Sequence, residues 1–96
     1  MKQVTKHNQP SKKELTSQLQ SIVFDVSKLS SKKPDEKMND FKIGYINQTI
    51  GKCNEILGDN RPYESFTLFD SINLPSNSDV LMILNTYLTA MRTLNL

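Results

Sequence analysis

Apolar residues recur at alternating spacings of four and three in two separate parts of the chain, and this spacing is the strongest constraint on the fold. Near the start they are Leu15, Leu19, Ile22, Val26 and Leu29. Near the end they are Val80, Leu84, Tyr87, Met91 and Leu94. An α-helix turns once every 3.6 residues, so each set falls on one face. Two amphipathic helices are therefore predicted, each with an apolar face to bury.

Capping residues set the bounds of these two helices. Ser11 and Glu14 match a capping box, in which each side chain bonds the backbone N–H of the other, and this predicts a first helix over 12–29. Ser76, followed three residues later by Asp79, predicts a last helix over 77–94.

A middle helix is predicted over 35–57, where Pro34 precedes two acidic residues and Gly58 follows the last apolar position. Its apolar residues cover roughly 200° of the circumference, about twice the minimum stripe of a surface helix, so we expect it to be central. The connector 59–76 is aromatic-rich and long for a plain loop, which favours a short fourth helix near 62–72.

The fold class expected from this pattern is all-α, a small antiparallel three-helix bundle with room for a short fourth helix in the connector. One domain spans 11–96. Residues 1–10 are polar, contain lysine and show no periodicity, so we expect them to form a flexible N-terminal arm.

Catalytic and metal-binding residue types are scarce. The chain has one cysteine and one histidine, too few for a zinc site, and its three glycines form no phosphate-binding loop. Cys53 falls on the apolar side of its helix, and His7 lies in the arm. We therefore expect no catalytic residues, no cofactor and no metal; an active site would have to be shared between subunits, from carboxylates such as Glu55, Asp59 and Glu64.

The same composition bears on location. The chain has no secretory signal pattern, no stretch long enough to span a membrane and no partner for its cysteine, so we expect a cytoplasmic protein that is not in a membrane. Its abundance of lysine, asparagine and isoleucine is typical of AT-rich coding, as in a phage or another mobile element.

One face of the last helix carries little charge for a solvent-exposed surface. Its residues are Met82, Asn85, Thr86, Thr89, Arg92 and Thr93. A neutral face with Met and Arg is typical of the centre of a protein interface, although an ordinary solvent face remains an alternative. Phe24, opposite the apolar face of its helix, and Gly44 and Gly51, where a neighbouring backbone would fit closely, are further interface candidates. The alternatives are a single exposed apolar residue at Phe24 and two glycines that a buried helix tolerates.

The first half of the chain is rich in lysine, which opens a second function. The candidate nucleic-acid contacts are Lys12, Lys13, Lys28, Lys32, Lys33 and Lys37. Five acidic residues lie among the lysines of residues 1–42, no arginine does, and the pI of 8.7 is below the value typical of nucleic-acid-binding domains.

We therefore expect a non-catalytic protein that acts by protein–protein interaction and associates with itself: an inhibitor, adaptor, immunity or regulatory factor. The alternative is a nucleic-acid-associated accessory protein that uses the lysine-rich first half.

Overall fold

Three α-helices make up most of the computed structural model, which describes residues 11–63 and 65–94. They are α1 (Lys12–Lys32), α2 (Asp40–Leu57) and α3 (Asn77–Thr93), and a 3-10 turn, Gly58–Asn60, follows α2 directly. Within the described ranges there is no strand, and one isolated bridge joins Lys37 to Ser76. The prediction of an all-α protein is confirmed. The predicted arm, 1–10, lies outside the described residues.

α1 begins where the sequence predicts and ends three residues later. The Glu14 N–H donates to the Ser11 hydroxyl at 3.1 Å, and the Ser11 N–H donates to the Glu14 carboxylate at 2.9 Å, which completes the capping box. At the other end, the Lys33 N–H donates to the Leu29 carbonyl at 2.9 Å. The two serines after Leu29 therefore continue the helix, because serine is only weakly unfavourable inside one.

The predicted start of α2 at residue 35 is wrong, because the helix begins five residues later. Asn39 is its N-cap and accepts the backbone N–H of Lys42 at 2.8 Å. Residues 34–38 instead bond the chain around the start of α3. The Met38 N–H donates to the Pro75 carbonyl at 2.9 Å, and the first two N–H groups of α3 donate to the carbonyls of Glu36 and Pro34. These long-range hydrogen bonds satisfy backbone groups of residues 34–38 that would otherwise be paired within a helix.

α3 begins as predicted and ends one residue earlier than predicted. Ser76 is the N-cap and accepts the N–H of Asp79 at 3.2 Å. The next residue, Asn77, is only 1% exposed, and its side-chain amide donates to the Lys33 carbonyl at 2.8 Å. This bond ties the start of α3 to the end of α1.

A single core runs between the helices, and α1 packs more extensively on α3 than on α2. Of the five apolar residues that the sequence places on one face of each of the first and last helices, four are buried. The remaining ones, Leu29 and Leu94, are partly exposed and pack against the core. α2 contributes Ile43, Ile46, Ile50, Cys53 and Leu57. Among the described residues, no helix combines the length and hydrophobicity needed to cross a bilayer.

The predicted antiparallel order of consecutive helices is not confirmed, because α2 and α3, which follow each other in the chain, run in the same direction. Their starts are neighbours through the bond from Met38 to Pro75, and their later halves are neighbours because the Tyr87 hydroxyl donates to Asn54 Oδ1 at 2.6 Å. α1 runs opposite to both. A fully antiparallel bundle uses short links, whereas the long connector here returns the chain to the end where α2 began.

The connector is held by two asparagine side chains of α2, and its own backbone adds one turn bond, from the Phe66 N–H to the Tyr63 carbonyl at 3.0 Å. The Asn47 amide donates to the Phe69 carbonyl and accepts the Phe69 N–H, both at 2.9 Å. The Asn54 amide donates to the Thr67 carbonyl at 2.9 Å. The helical turns expected near 62–72 are absent from the described part of that segment.

Connector aromatics cover the seam between α2 and α3. The ring centroid of Phe66 lies 4.8 Å from that of Phe69 and 6.1 Å from that of Tyr87, both with the edge-to-face geometry that aromatic pairs favour. Phe69 and Tyr87 are buried. The seam is therefore closed by the chain itself.

Candidate interaction surfaces

The outer face of α3 is exposed over its whole length. Asp79 is exposed in its first turn, and the exposed residues after it are the six that the sequence singles out: Met82, Asn85, Thr86, Thr89, Arg92 and Thr93. Met82 is 62% exposed, and Arg92 is the only charged member. We call these six residues the α3 outer face.

Threonine hydroxyls on this face bond the helix itself. The Thr86 hydroxyl donates to the Ile83 carbonyl at 2.6 Å, and the Thr93 hydroxyl lies 3.1 Å from the Thr89 carbonyl and 3.2 Å from the Ala90 carbonyl. Such back-bonding satisfies the hydroxyl inside the helix. The face is therefore less polar than its composition indicates, because two of its hydroxyls need no external partner.

A shallow hollow borders the α3 outer face where the connector passes. Its volume is about 410 Å³, and it is lined by Pro62, Asn85, Thr86, Thr89 and Ala90. Three of its five lining residues belong to the face. The face is therefore indented, which gives a partner's side chain a place to insert.

Phe24 and Arg92 lie in a different hollow, between α1 and α3. It has a volume of about 710 Å³, and serines and a glutamine of α1 supply much of its lining. Phe24 is 61% exposed, and the Lys28 ammonium lies 4.4 Å from its ring centroid, within cation–π range. The structure thus groups Phe24 with Arg92, while Met82 lies outside this hollow.

Gly44 and Gly51 have no close neighbour. A Cβ built at either position would meet nothing within 4 Å. No described part of this chain is therefore the close neighbour that these glycines would accommodate. Close packing against a second molecule at these glycines stays a prediction.

The candidate lysines fall into two groups. Lys12 and Lys13 begin α1, whereas Lys28, Lys32, Lys33 and Lys37 lie at its other end and in the following link. Twenty residues of helix separate Lys13 from Lys33, which is about 30 Å at 1.5 Å per residue. The lysines therefore do not form one continuous basic surface.

Two of those lysines border a feature that the sequence analysis missed, the α1–α2 groove. The groove has a volume of about 400 Å³. Its lining residues are Ile22, Asp25, Val26, Lys28, Leu29, Lys32, Met38, Lys42, Tyr45 and Ile46. The sequence does contain a signal for this groove. Lys28 and Lys32 are one turn apart on α1, beside its buried apolar face, and Lys42 is one turn before the apolar Ile46 on α2.

The titratable groups with shifted pKa values serve the fold. Burial raises the pKa of the Cys53 thiol to about 11, so the thiol stays protonated and poorly nucleophilic. Burial also raises the pKa of Tyr87, whose hydroxyl bonds Asn54. The pKa of Asp70 is lowered, because its carboxylate accepts the backbone N–H groups of Ile72 and Asn73 in a turn.

Carboxylates do not converge in the described part of the chain. Glu55 and Asp59 are exposed, while Glu64 and His7 lie outside the described residues. No group of three or more His, Cys, Asp or Glu within residues 11–63 and 65–94 is placed to hold a metal ion.

Comparisons of the chain with protein-family models, with curated proteins and with solved structures found no match.

Proposed function

We propose that this chain is a non-catalytic protein that acts by binding protein, and that it associates with a second copy of itself through the α3 outer face. One observation carries the proposal: a six-residue helix face is exposed, holds a single charge and bonds two of its hydroxyls internally. Depletion of charge at the centre, with Met and Arg present, distinguishes interface cores from ordinary surface.

A second copy is the partner that this face fits best. In a two-fold symmetric dimer the same patch meets itself, so a charge near the axis meets its own like charge. Met82, Thr86 and Thr89 carry no charge, and Arg92 lies towards the side of the face that borders α1. Self-association through this face therefore places no like charges at its centre.

Such a protein would work by masking a surface or by biasing the conformation of a target. A small inhibitor, adaptor, immunity or regulatory factor can act in this way without catalytic groups. The amino-acid usage of the chain favours a phage or another mobile element as its origin. The hydroxyls, methyl groups and one thioether of the α3 outer face are suited to noncovalent contact with a partner and not to catalysis.

The experiment is a charge insertion into the α3 outer face. Thr86→Lys combined with Thr89→Glu places two charges at exposed positions, and sedimentation velocity should then give a monomer where the parent protein gives a dimer. Gln18→Lys combined with Gln48→Glu adds the same pair of charges at exposed positions of α1 and α2 and should leave the dimer intact. Equal oligomeric states for both variants would contradict the assignment to α3.

Nucleic-acid association is a second proposal, supported by the position of Lys28, Lys32, Lys33 and Lys37 at one end of the fold. Residues 25–42 hold five lysines but also four acidic residues, so the local excess charge is small. Binding should fall steeply from low to physiological salt and should weaken when Lys32, Lys33 and Lys37 are replaced by Gln. Absence of retention on DNA and RNA at low salt would contradict it.

A further inference from the structure

The α2–α3 seam shows how this fold closes a gap between helices. Phe66 and Phe69 of the connector insert there, and Asn47 and Asn54 hold the connector backbone. The α1–α2 groove has no such cover among the described residues. It is an open concavity of about 400 Å³, within the size range of small-molecule sites.

Its floor and its rim differ in chemistry. Buried apolar residues form the floor, namely Ile22, Val26, Met38 and Ile46. The rim carries three exposed lysines, Lys28 and Lys32 from α1 and Lys42 from α2, against one acidic residue, Asp25. Tyr45, 55% exposed, forms part of the α2 wall.

We propose that the α1–α2 groove binds a single-chain anionic amphiphile, with the alkyl chain on the apolar floor and a carboxylate among the rim lysines. An apolar pocket with a few well-placed polar groups is the usual form of a ligand site. Lys32 of α1 and Lys42 of α2 border the groove from opposite helices, while the Lys28 ammonium lies 4.4 Å from the Phe24 ring centroid. Three lysines against a single acid favour an anion over a cation.

This site is separate from the one that supports self-association. No residue lining the groove belongs to α3, and none belongs to the α3 outer face. Amphiphile binding and dimer formation are therefore expected to respond to different substitutions, and either can fail without the other.

The test is a titration of the full-length ¹⁵N-labelled protein with dodecanoate, below its micelle-forming concentration, followed by amide chemical shifts. Saturable shifts are expected at the lining residues of the groove. Dodecyltrimethylammonium, with the same chain length and the opposite charge, should bind far more weakly. Equal binding of the two amphiphiles, shifts centred elsewhere, or no saturable shift would overturn the proposal.

Charge-neutral variants test the role of the rim. Lys32→Gln combined with Lys42→Gln should weaken dodecanoate binding about fivefold, as expected for two exposed ion pairs of ordinary strength. Lys13→Gln combined with Lys52→Gln makes the same charge change at exposed lysines away from the groove and should leave the affinity unchanged. The same loss in both double variants would show nonspecific attraction and overturn the site.

A blocking variant tests whether the ligand occupies the apolar part of the groove. Leu29 is a half-buried lining residue, and Leu29→Trp should fill the groove and abolish binding while circular dichroism reports a folded protein. Should that variant fail to fold, Tyr45→Glu, at an exposed position, adds a carboxylate at the rim and should weaken binding more than tenfold. Unchanged affinity in a folded variant, or stronger binding of an acidic amphipathic peptide than of dodecanoate, would overturn the proposed ligand class.

Discussion

Cys53 lies fully buried on α2, and burial raises the pKa of its thiol to about 11. An unfolded thiol ionises near pH 8.5, so the unfolded chain releases its proton first as the pH rises. Because the folded state holds the proton longer, the free energy of unfolding is highest below pH 8.5 on this account and falls as the pH approaches 11. The thiol therefore acts as a structural group whose ionisation opposes folding.

The expected outcome is a loss of stability on the order of 1 to 2 kcal/mol between pH 8.5 and 10.5, measured by urea unfolding. Cys53→Ala is the matched control, since it should remove most of the decline over the lower part of that window. Tyr87, whose pKa is also raised by burial, contributes at the upper end. A decline of the same size in Cys53→Ala would contradict the assignment to the thiol.

Three asparagines, Asn47, Asn54 and Asn77, form side-chain bonds to distant backbone carbonyls. In the sequence they are indistinguishable from the asparagines expected of AT-rich coding, because nothing local marks a partner 13 to 44 residues away. The side-chain oxygen of Asn77 is buried and has no hydrogen-bond partner among residues 11–63 and 65–94. Asn77 is buried because the start of α3 packs against the chain that follows α1, and no periodicity in the sequence indicates that contact.

At the scale of elements, local signals were sufficient for the starts of α1 and α3. Ser11 and Ser76 cap helices through residues three positions away, so the sequence contains both partners of each bond. The start of α2 depends on Met38 meeting Pro75, and no local pattern predicts that contact. The connector escaped prediction for the same reason, since the hydrogen bonds that fix its path across the fold go to Asn47 and Asn54 of α2.

The connector depends on Asn47, whose amide makes two hydrogen bonds to the backbone of Phe69. Asn47→Ala should lower the free energy of unfolding by about 1 to 3 kcal/mol, because each lost bond contributes about 0.5 to 1.5 kcal/mol. The connector should also become sensitive to limited proteolysis near Phe66 and Phe69. Mass spectrometry of the fragments identifies the cleavage sites.

The neighbouring exposed residue provides the control for this prediction. Gln48→Ala lies on the same helix and should leave both the stability and the cleavage pattern almost unchanged. Equal cleavage rates in the parent protein and in Asn47→Ala would contradict this role of Asn47 and leave the connector to Asn54 and the aromatic contacts.

At the scale of the whole molecule, the fold buries one face of each helix and leaves two other surfaces available. The sequence predicted the exposed face of α3 because helical periodicity places those residues together. It did not predict the α1–α2 groove, because that groove exists only once α1 and α2 pack side by side. Nor did it predict the parallel course of α2 and α3, which depends on the path of the connector.

Self-association through α3 is the central claim, and molecular mass in solution tests it most directly. Light scattering over a concentration series, at low and at high salt, should give twice the 11.0 kDa chain mass once the concentration exceeds the dissociation constant. The dimer should persist at high salt, because the α3 outer face contains little charge and apolar contact is not screened. A monomer at every concentration, or a dimer that high salt dissociates, would contradict the account.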